Sequence, residues 1–243
     1  MTTVGRGKEK TREKKQERRN RGRWDNMEKS TNTKKAILYD KDIREPLFEF
    51  LEELYDKMRI IEEKQMGKSR ADIMMILTEC IVGIEIKSDA DTYARLARQV
   101  KDYNMYFDYN YVVIGSRHGK HIKEHVPPWW GIISVELVDQ KIDFYVMRQA
   151  QMNPERDMKR KISLLWRPEL AHIQEINHMP RYPQKSKAFA AQKILNTVPE
   201  KILNRQISDE LFERDYTLIE NTIKEYKRDR RGKGSRGRKR KSF

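Results

Sequence analysis

One cysteine in 243 residues excludes an intrachain disulfide and any cysteine-based zinc centre. That residue, Cys80, falls in a segment read below as a turn and is given no role. Long apolar runs are also missing. No stretch approaches the roughly 20 residues of a membrane span, and the basic N-terminus lacks the apolar region of a secretory signal. Internal repeats are absent. The expectation is a soluble, cytoplasmic protein with no membrane partner.

Acidic residues are scarce at both ends. Residues 1–35 carry thirteen Lys/Arg against five Asp/Glu, and residues 224–243 carry eleven against two. These ends hold net charges of +8 and +9 in a chain of +15, which leaves −2 for residues 36–223. Both ends are too poor in apolar residues to offset the entropy of ordering. They read as flexible basic arms. A solubilising tail is the plain alternative, but charge this concentrated favours contact with phosphate, above all through Arg236, Arg238, Lys239, Arg240 and Lys241.

Between the arms, Ile43, Leu47, Phe48, Leu51, Leu54, Tyr55 and Met58 recur at helical spacing, with Asp42 expected as N-cap and Pro46 in the first turn. Residues 59–65 either continue that helix or begin a strand. Two short apolar runs follow, Asp72–Leu77 and Ile81–Ile86, separated by Thr78-Glu79-Cys80, and they read as a hairpin. Ser88–Thr92 is rich in capping residues and opens a helix carrying Tyr93, Leu96, Val100 and Tyr103. Tyr109–Gly115 reads as a buried strand, and 132–137 with 141–146 as a second hairpin. From about Pro154 the pattern turns helical, with two or three more helices over 185–226. The division expected is a basic arm (1–35), an α/β core (36–150), a helical extension (151–223) and a basic tail (224–243).

Three polar residues interrupt the first hairpin. Side chains alternate along a strand, so Glu85 and Lys87 share a face, and Asp72 lies on the neighbouring strand. Charge within apolar strands is costly, which argues for a purpose. Phosphodiester cleavage needs charge neutralisation and an activated water, and a hard divalent cation on one or two carboxylates supplies both. Asp72, Glu85 and the backbone carbonyl of Ile86 are the candidate metal ligands. Lys87 is the candidate for orienting water or stabilising the phosphate. On the following helix Gln99 and Tyr103 are one turn apart, with Arg95 a turn earlier on the same face. Alone, the first element reads as a surface ion pair worth little and the second as a common polar helix face.

Together, Asp72, Glu85-X-Lys87 and Gln99-X-X-X-Tyr103 resemble the PD-(D/E)XK (restriction-endonuclease-like) nuclease superfamily, especially its RecB-like members. The wider run Arg70–Ile73, Gly83–Asp89, Asp91-Thr92, Arg95-Leu96 and Tyr103-Asn104 is similar to a branch of small bacterial and phage proteins, the sce-type family. The likeness extends through Phe107-Asp108, His118 and Pro128–Ile132, and more loosely into Leu164–Leu170. The resemblance implies an αβββαβ core with a mixed sheet, Mg²⁺- or Mn²⁺-dependent DNA cleavage, and the roles given above for Asp72, Glu85 and Lys87. It also implies a further acidic residue ahead of the aspartate. Glu63 fits best and Glu62 next, with a helix-surface charge as the alternative. Ala71 replaces the proline of the superfamily's name.

RNA remains open as substrate, and a homodimer is a natural way to cut two strands. The competing readings are a nucleic-acid-binding module that keeps the fold without cutting, and a phage genome-associated protein. His118, His121 and His125 have metal-ligand spacing only on a helix, which Gly119 and Pro127-Pro128 oppose, so they are expected to be structural or surface residues. Trp129 and Trp130 are expected to plug the core rather than to stack on bases, and Met74-Met75 to fill it.

Overall fold

The fold is that of a computed structural model, which describes residues 37–214. Both basic arms, and with them Arg236, Arg238, Lys239, Arg240 and Lys241, lie outside the described residues. The chain divides into two compact units. The described parts of the first are residues 37–75 and 81–157, and those of the second are 76–80 and 158–214.

The first unit begins with helix α1 (Asp40–Leu54), which buries Ile43, Leu47 and Leu51. Its cap departs from expectation. Helical backbone starts at Asp40, so Tyr39 is the N-cap and Asp42 stands at the third helical position. From there Asp42 reaches back to accept the Tyr39 backbone N–H at 3.0 Å, satisfying an end donor from inside the helix.

Residues left open between helix and strand form β1 (Arg59–Met66), followed by β2 (Ser69–Ile76) and β3 (Ile81–Lys87). Gly67 makes the first turn at φ 54°, a left-handed conformation that glycine adopts without strain. A 3₁₀ turn (Tyr93–Arg95) leads into α2 (Leu96–Tyr106), then β4 (Tyr109–Gly115), a second 3₁₀ turn (Ser116–His118) and short α3 (Ile122–His125). Strands β5 (Gly131–Val138) and β6 (Lys141–Arg148) close the unit. The sheet has six strands in sequential order, β1 to β6. Linkers of two and four residues can join only antiparallel neighbours, which fixes β1/β2 and β2/β3. By contrast β3/β4 and β4/β5 are parallel, and β5/β6 are antiparallel. The sheet is mixed, and its leading order is the αβββαβ expected.

Every residue of β3 is buried, Glu85 and Lys87 included, as are Met74 and Met75 of β2, and apart from that charged pair β3 reads as an apolar run. Helix α1 stacks Phe50 on Phe144 of β6, with ring centroids 5.1 Å apart. Helix α2 lies on the face bearing Gly83, Glu85 and Lys87. A Cβ at Gly83 would stand 2.2 Å from the Phe107 ring and 2.7 Å from that of Tyr103. Glycine there lets the helix end press onto the strand. Trp130 is fully buried and donates Nε1–H to Asn104 Oδ1 at 2.7 Å, so it is the core plug, whereas Trp129 is only half-buried.

The second unit is helical: α4 (Met158–Ile162), α5 (Arg167–Ile176), α6 (Lys187–Thr197) and α7 (Glu200–Phe212). Leu170, Ile173, Ile194, Ile207 and Leu211 are fully buried in it. A buried ion pair, Arg214 Nε to Glu169 Oε1 at 2.6 Å, is capped by the Trp166 ring 4.4 Å from the guanidinium. Asn204 donates to the Glu79 carbonyl at 2.7 Å, which ties the 76–80 turn to this unit. Among the described residues no helix is long and apolar enough to cross a membrane.

Candidate active site

Glu85 and Lys87 end β3 on the face covered by α2, where the sheet changes from antiparallel to parallel pairing. A cleft of about 470 Å³ opens there. Glu63, Asp72, Glu85, Ile86, Lys87, Arg95 and Gln99, all singled out from sequence, line it. Tyr103 lies behind Glu85, wholly buried.

Glu85 is 1% exposed and Lys87 3% exposed. Both polar groups are satisfied within the protein. Lys87 Nζ donates to Glu85 Oε1 and, at 3.2 Å, to Gln99 Oε1. Gln99 donates its amide N–H to the same Glu85 oxygen. Tyr103 donates its hydroxyl to Glu85 Oε2 at 2.8 Å and accepts the Asp72 backbone N–H at 3.1 Å. Gln99 and Tyr103, one turn apart on α2, therefore grip the two oxygens of one carboxylate. Two of the three Lys87 protons are used, which leaves one for the cleft.

Asp72 is less enclosed, its side chain 21% exposed. Ile86 donates its backbone N–H to Asp72 Oδ2 at 2.8 Å, which holds the aspartate against β3. Burial pushes the Asp72 pKa up, the Glu85 charge pushes it further, and it settles at about 7; the Ile86 hydrogen bond, Lys87 and Arg44 pull the other way. Burial also raises the Tyr103 phenol well above its usual range, with the Glu85 and Asp72 charges adding to it.

Three cations around the cleft could not be linked to it from sequence patterns. Arg44 of α1 pairs with Glu63 at 2.7 Å and approaches Asp72 Oδ1 at 3.8 Å. Burial disfavours its charge, but Asp40, Asp72 and Glu63 more than offset this and raise its pKa. Glu63 also pairs with Arg70, and Glu62 lies 3.3 Å from Arg44. Lys68 and Arg98 line the mouth beside Arg95. Arg44 is separated from Glu63 by 19 residues and from Asp72 by 28, so no spacing rule could have found it.

The histidines do not converge. His118 is buried with Nε2 2.9 Å from the Ser88 carbonyl, His121 is exposed beside Glu124, and His125 stacks on Tyr93. Among the described residues no group of three or more His, Cys, Asp and Glu side chains is arranged to hold a metal. A donor set of two carboxylates and one carbonyl, all oxygen, does suit a small hard cation that keeps most of its water. Asp72 faces the cleft, and among the described residues Glu85 Oε2 accepts a side-chain hydrogen bond from Tyr103 alone.

Residues 30–229 match the family described as bacteriophage P4 protein cII. The chain belongs to the bacteriophage P4 protein cII family. This agrees with the phage association expected from the sequence, while the sce-type branch is not the family matched. No curated protein matches this cII-family chain. Among solved structures, Pyrococcus furiosus SfsA in complex with Ca²⁺ aligns at 13% identity and a TM-score of 0.29, over 46% of this chain and 63% of SfsA. The aligned region thus spans less than two thirds of SfsA, and a superposition of that quality carries no inference.

Proposed function

We propose that this cII-family protein is a metal-dependent nuclease of the PD-(D/E)XK type that hydrolyses DNA. The observation that carries the reading is the meeting, in one cleft, of Asp72 with the buried Glu85–Lys87 pair from the neighbouring strand. A buried ion pair is poor value as a stabiliser, because desolving both charges offsets their attraction. A buried, hydrogen-bonded Glu85–Lys87 pair at the floor of a cleft, beside a carboxylate pushed up to about 7, suits chemistry better than packing.

Asp72, Glu85 and the Ile86 carbonyl would hold Mg²⁺ or Mn²⁺. Such a cation supplies charge neutralisation on the phosphate and acidifies water. Lys87 directs its free N–H into the cleft, at the attacking water or at a phosphate oxygen as negative charge develops. Gln99 and Tyr103 fix the Glu85 carboxylate so that neither it nor Lys87 must reorganise. Arg95, Arg98 and Lys68 are exposed at the mouth and meet flanking phosphates. The basic sequence of residues 224–243 adds affinity for a polyanion without reading its bases.

The test is incubation of the full chain with linear, circular and single-stranded DNA and with RNA, in Mg²⁺, Mn²⁺ or a chelator. Cleavage of DNA that the chelator abolishes supports the reading. Binding of DNA without cleavage under every condition contradicts it and favours a binding module that keeps the fold. Cleavage of RNA alone moves the substrate.

A further inference from the structure

Arg44 belongs to none of the sequence motifs, yet it contacts four carboxylates from three elements. From α1 its Nε meets Asp40 Oδ2 at 2.7 Å, and its Nη1 meets Glu62 Oε2 at 3.3 Å. Its Nη2 meets Glu63 Oε1 at 2.7 Å and faces Asp72 Oδ1 at 3.8 Å. Nη1 also donates to the Asp72 backbone carbonyl at 3.3 Å. A guanidinium is always charged and presents several donors in one plane, which makes it the side chain able to bridge so many oxygens.

Asp72 is thereby shared between two neighbourhoods. Its Oδ2 is bound by β3 through the Ile86 N–H, and its Oδ1 looks toward Arg44. Glu63 is occupied on both oxygens, Oε1 by Arg44 and Oε2 by Arg70. Its backbone sits at φ 52°, a left-handed conformation that a glutamate keeps only where its surroundings over-determine it.

We infer that Arg44 is a built-in monovalent cation standing where a second divalent cation would sit between Asp72 and Glu63, so that the cleft binds one divalent cation per chain, on the Asp72–Glu85 side. The inference rests on the metal-dependent reading above. Arg44 is a positioning residue: it orients Asp72 and keeps Glu63 from becoming a ligand.

Titration of the full chain with Mn²⁺, reading free ion by electron paramagnetic resonance, tests this. The wild type is expected to saturate at one ion per chain, as is Arg44→Lys. Arg44→Met frees Glu63 and Asp72 Oδ1 and is expected to saturate at two, and adding Glu63→Gln to it returns the value to one. Glu63→Gln alone, which does not depend on the fold surviving loss of Arg44, is expected to leave Mn²⁺ affinity within threefold of wild type. Saturation of the wild type at two with cleavage intact overturns this inference alone. So does Arg44→Met staying at one while folded, or a tenfold loss of affinity in Glu63→Gln. A wild type that binds no Mn²⁺ removes the metal-dependent reading and this inference with it.

Discussion

The Ile86 backbone N–H donates to Asp72 Oδ2 at 2.8 Å, joining a side chain of β2 to the backbone of β3. This bond favours the ionised aspartate, yet burial and Glu85 outweigh it, and Asp72 titrates at about 7 rather than 3.8. Between those values the folded, cation-free protein holds a proton that the unfolded chain has released. The stability from this group is therefore fully present below about pH 4 and is lost as pH rises through about 7. Three pKa units correspond to about 4 kcal/mol as an upper bound. Urea midpoints of the wild type in chelator are expected to fall more steeply between pH 5 and 8 than those of Asp72→Asn. Mg²⁺ is expected to recover stability mainly at the upper end. Equal slopes in the two proteins contradict the assignment.

The Glu85–Lys87 pair gives a double-mutant cycle. Lys87→Met leaves a buried carboxylate without its cation and is expected to cost about 3–5 kcal/mol in chemical denaturation. Glu85→Gln combined with Lys87→Met removes both charges and is expected to recover most of that loss. Additive losses would show that the two residues do not depend on each other.

Gly83→Ala tests how α2 reaches the site. The added Cβ falls 2.2 Å from Phe107 and 2.7 Å from Tyr103, and neither ring can yield without moving the end of α2. The expected cost is about 1–3 kcal/mol. Cleavage should change while far-UV circular dichroism does not. Wild-type cleavage in this variant would mean that the Tyr103 contact with Glu85 is dispensable.

Much of this arrangement is legible in the sequence, for physical reasons. The β2–β3 hairpin announces itself because apolar runs flank a short polar turn, and the period of two then puts Glu85 and Lys87 on one face. Gln99 and Tyr103 follow from the helical period. Segment 59–66 stays ambiguous because Glu62, Glu63 and Lys64 sit on an edge strand that is half exposed and has no clean alternation. The α1 cap is misplaced by three residues because an aspartate serves equally well at the cap or reaching back to it. Arg44's link to the cleft is invisible because Glu62, Glu63 and Asp72 come from strands distant in sequence, and only Asp40 lies on its own helix. The Trp129-Trp130 pair looks uniform in sequence, yet one ring is buried and the other half-buried, a distinction that only packing makes.

Residues 224–243 give a prediction that needs only their charge. Eleven Lys/Arg against two Asp/Glu should release counterions on binding DNA. Each phosphate neutralised adds about −0.9 to the slope of log affinity against log salt. Deleting the segment is expected to weaken binding across sequences and to flatten that slope by several units. An unchanged slope assigns the segment no electrostatic role.

The central claim is that Lys87 acts in phosphodiester cleavage at a site built from Asp72 and Glu85. Single-turnover cleavage of DNA in Mg²⁺, with DNA binding measured on the same preparations, tests it most directly. Lys87→Ala is expected to lower the cleavage rate by about 10²-fold or more, in line with loss of one charge-stabilising donor, while binding stays within a few-fold of wild type. Equal cleavage by wild type and Lys87→Ala, both folded and both binding DNA, would contradict the account.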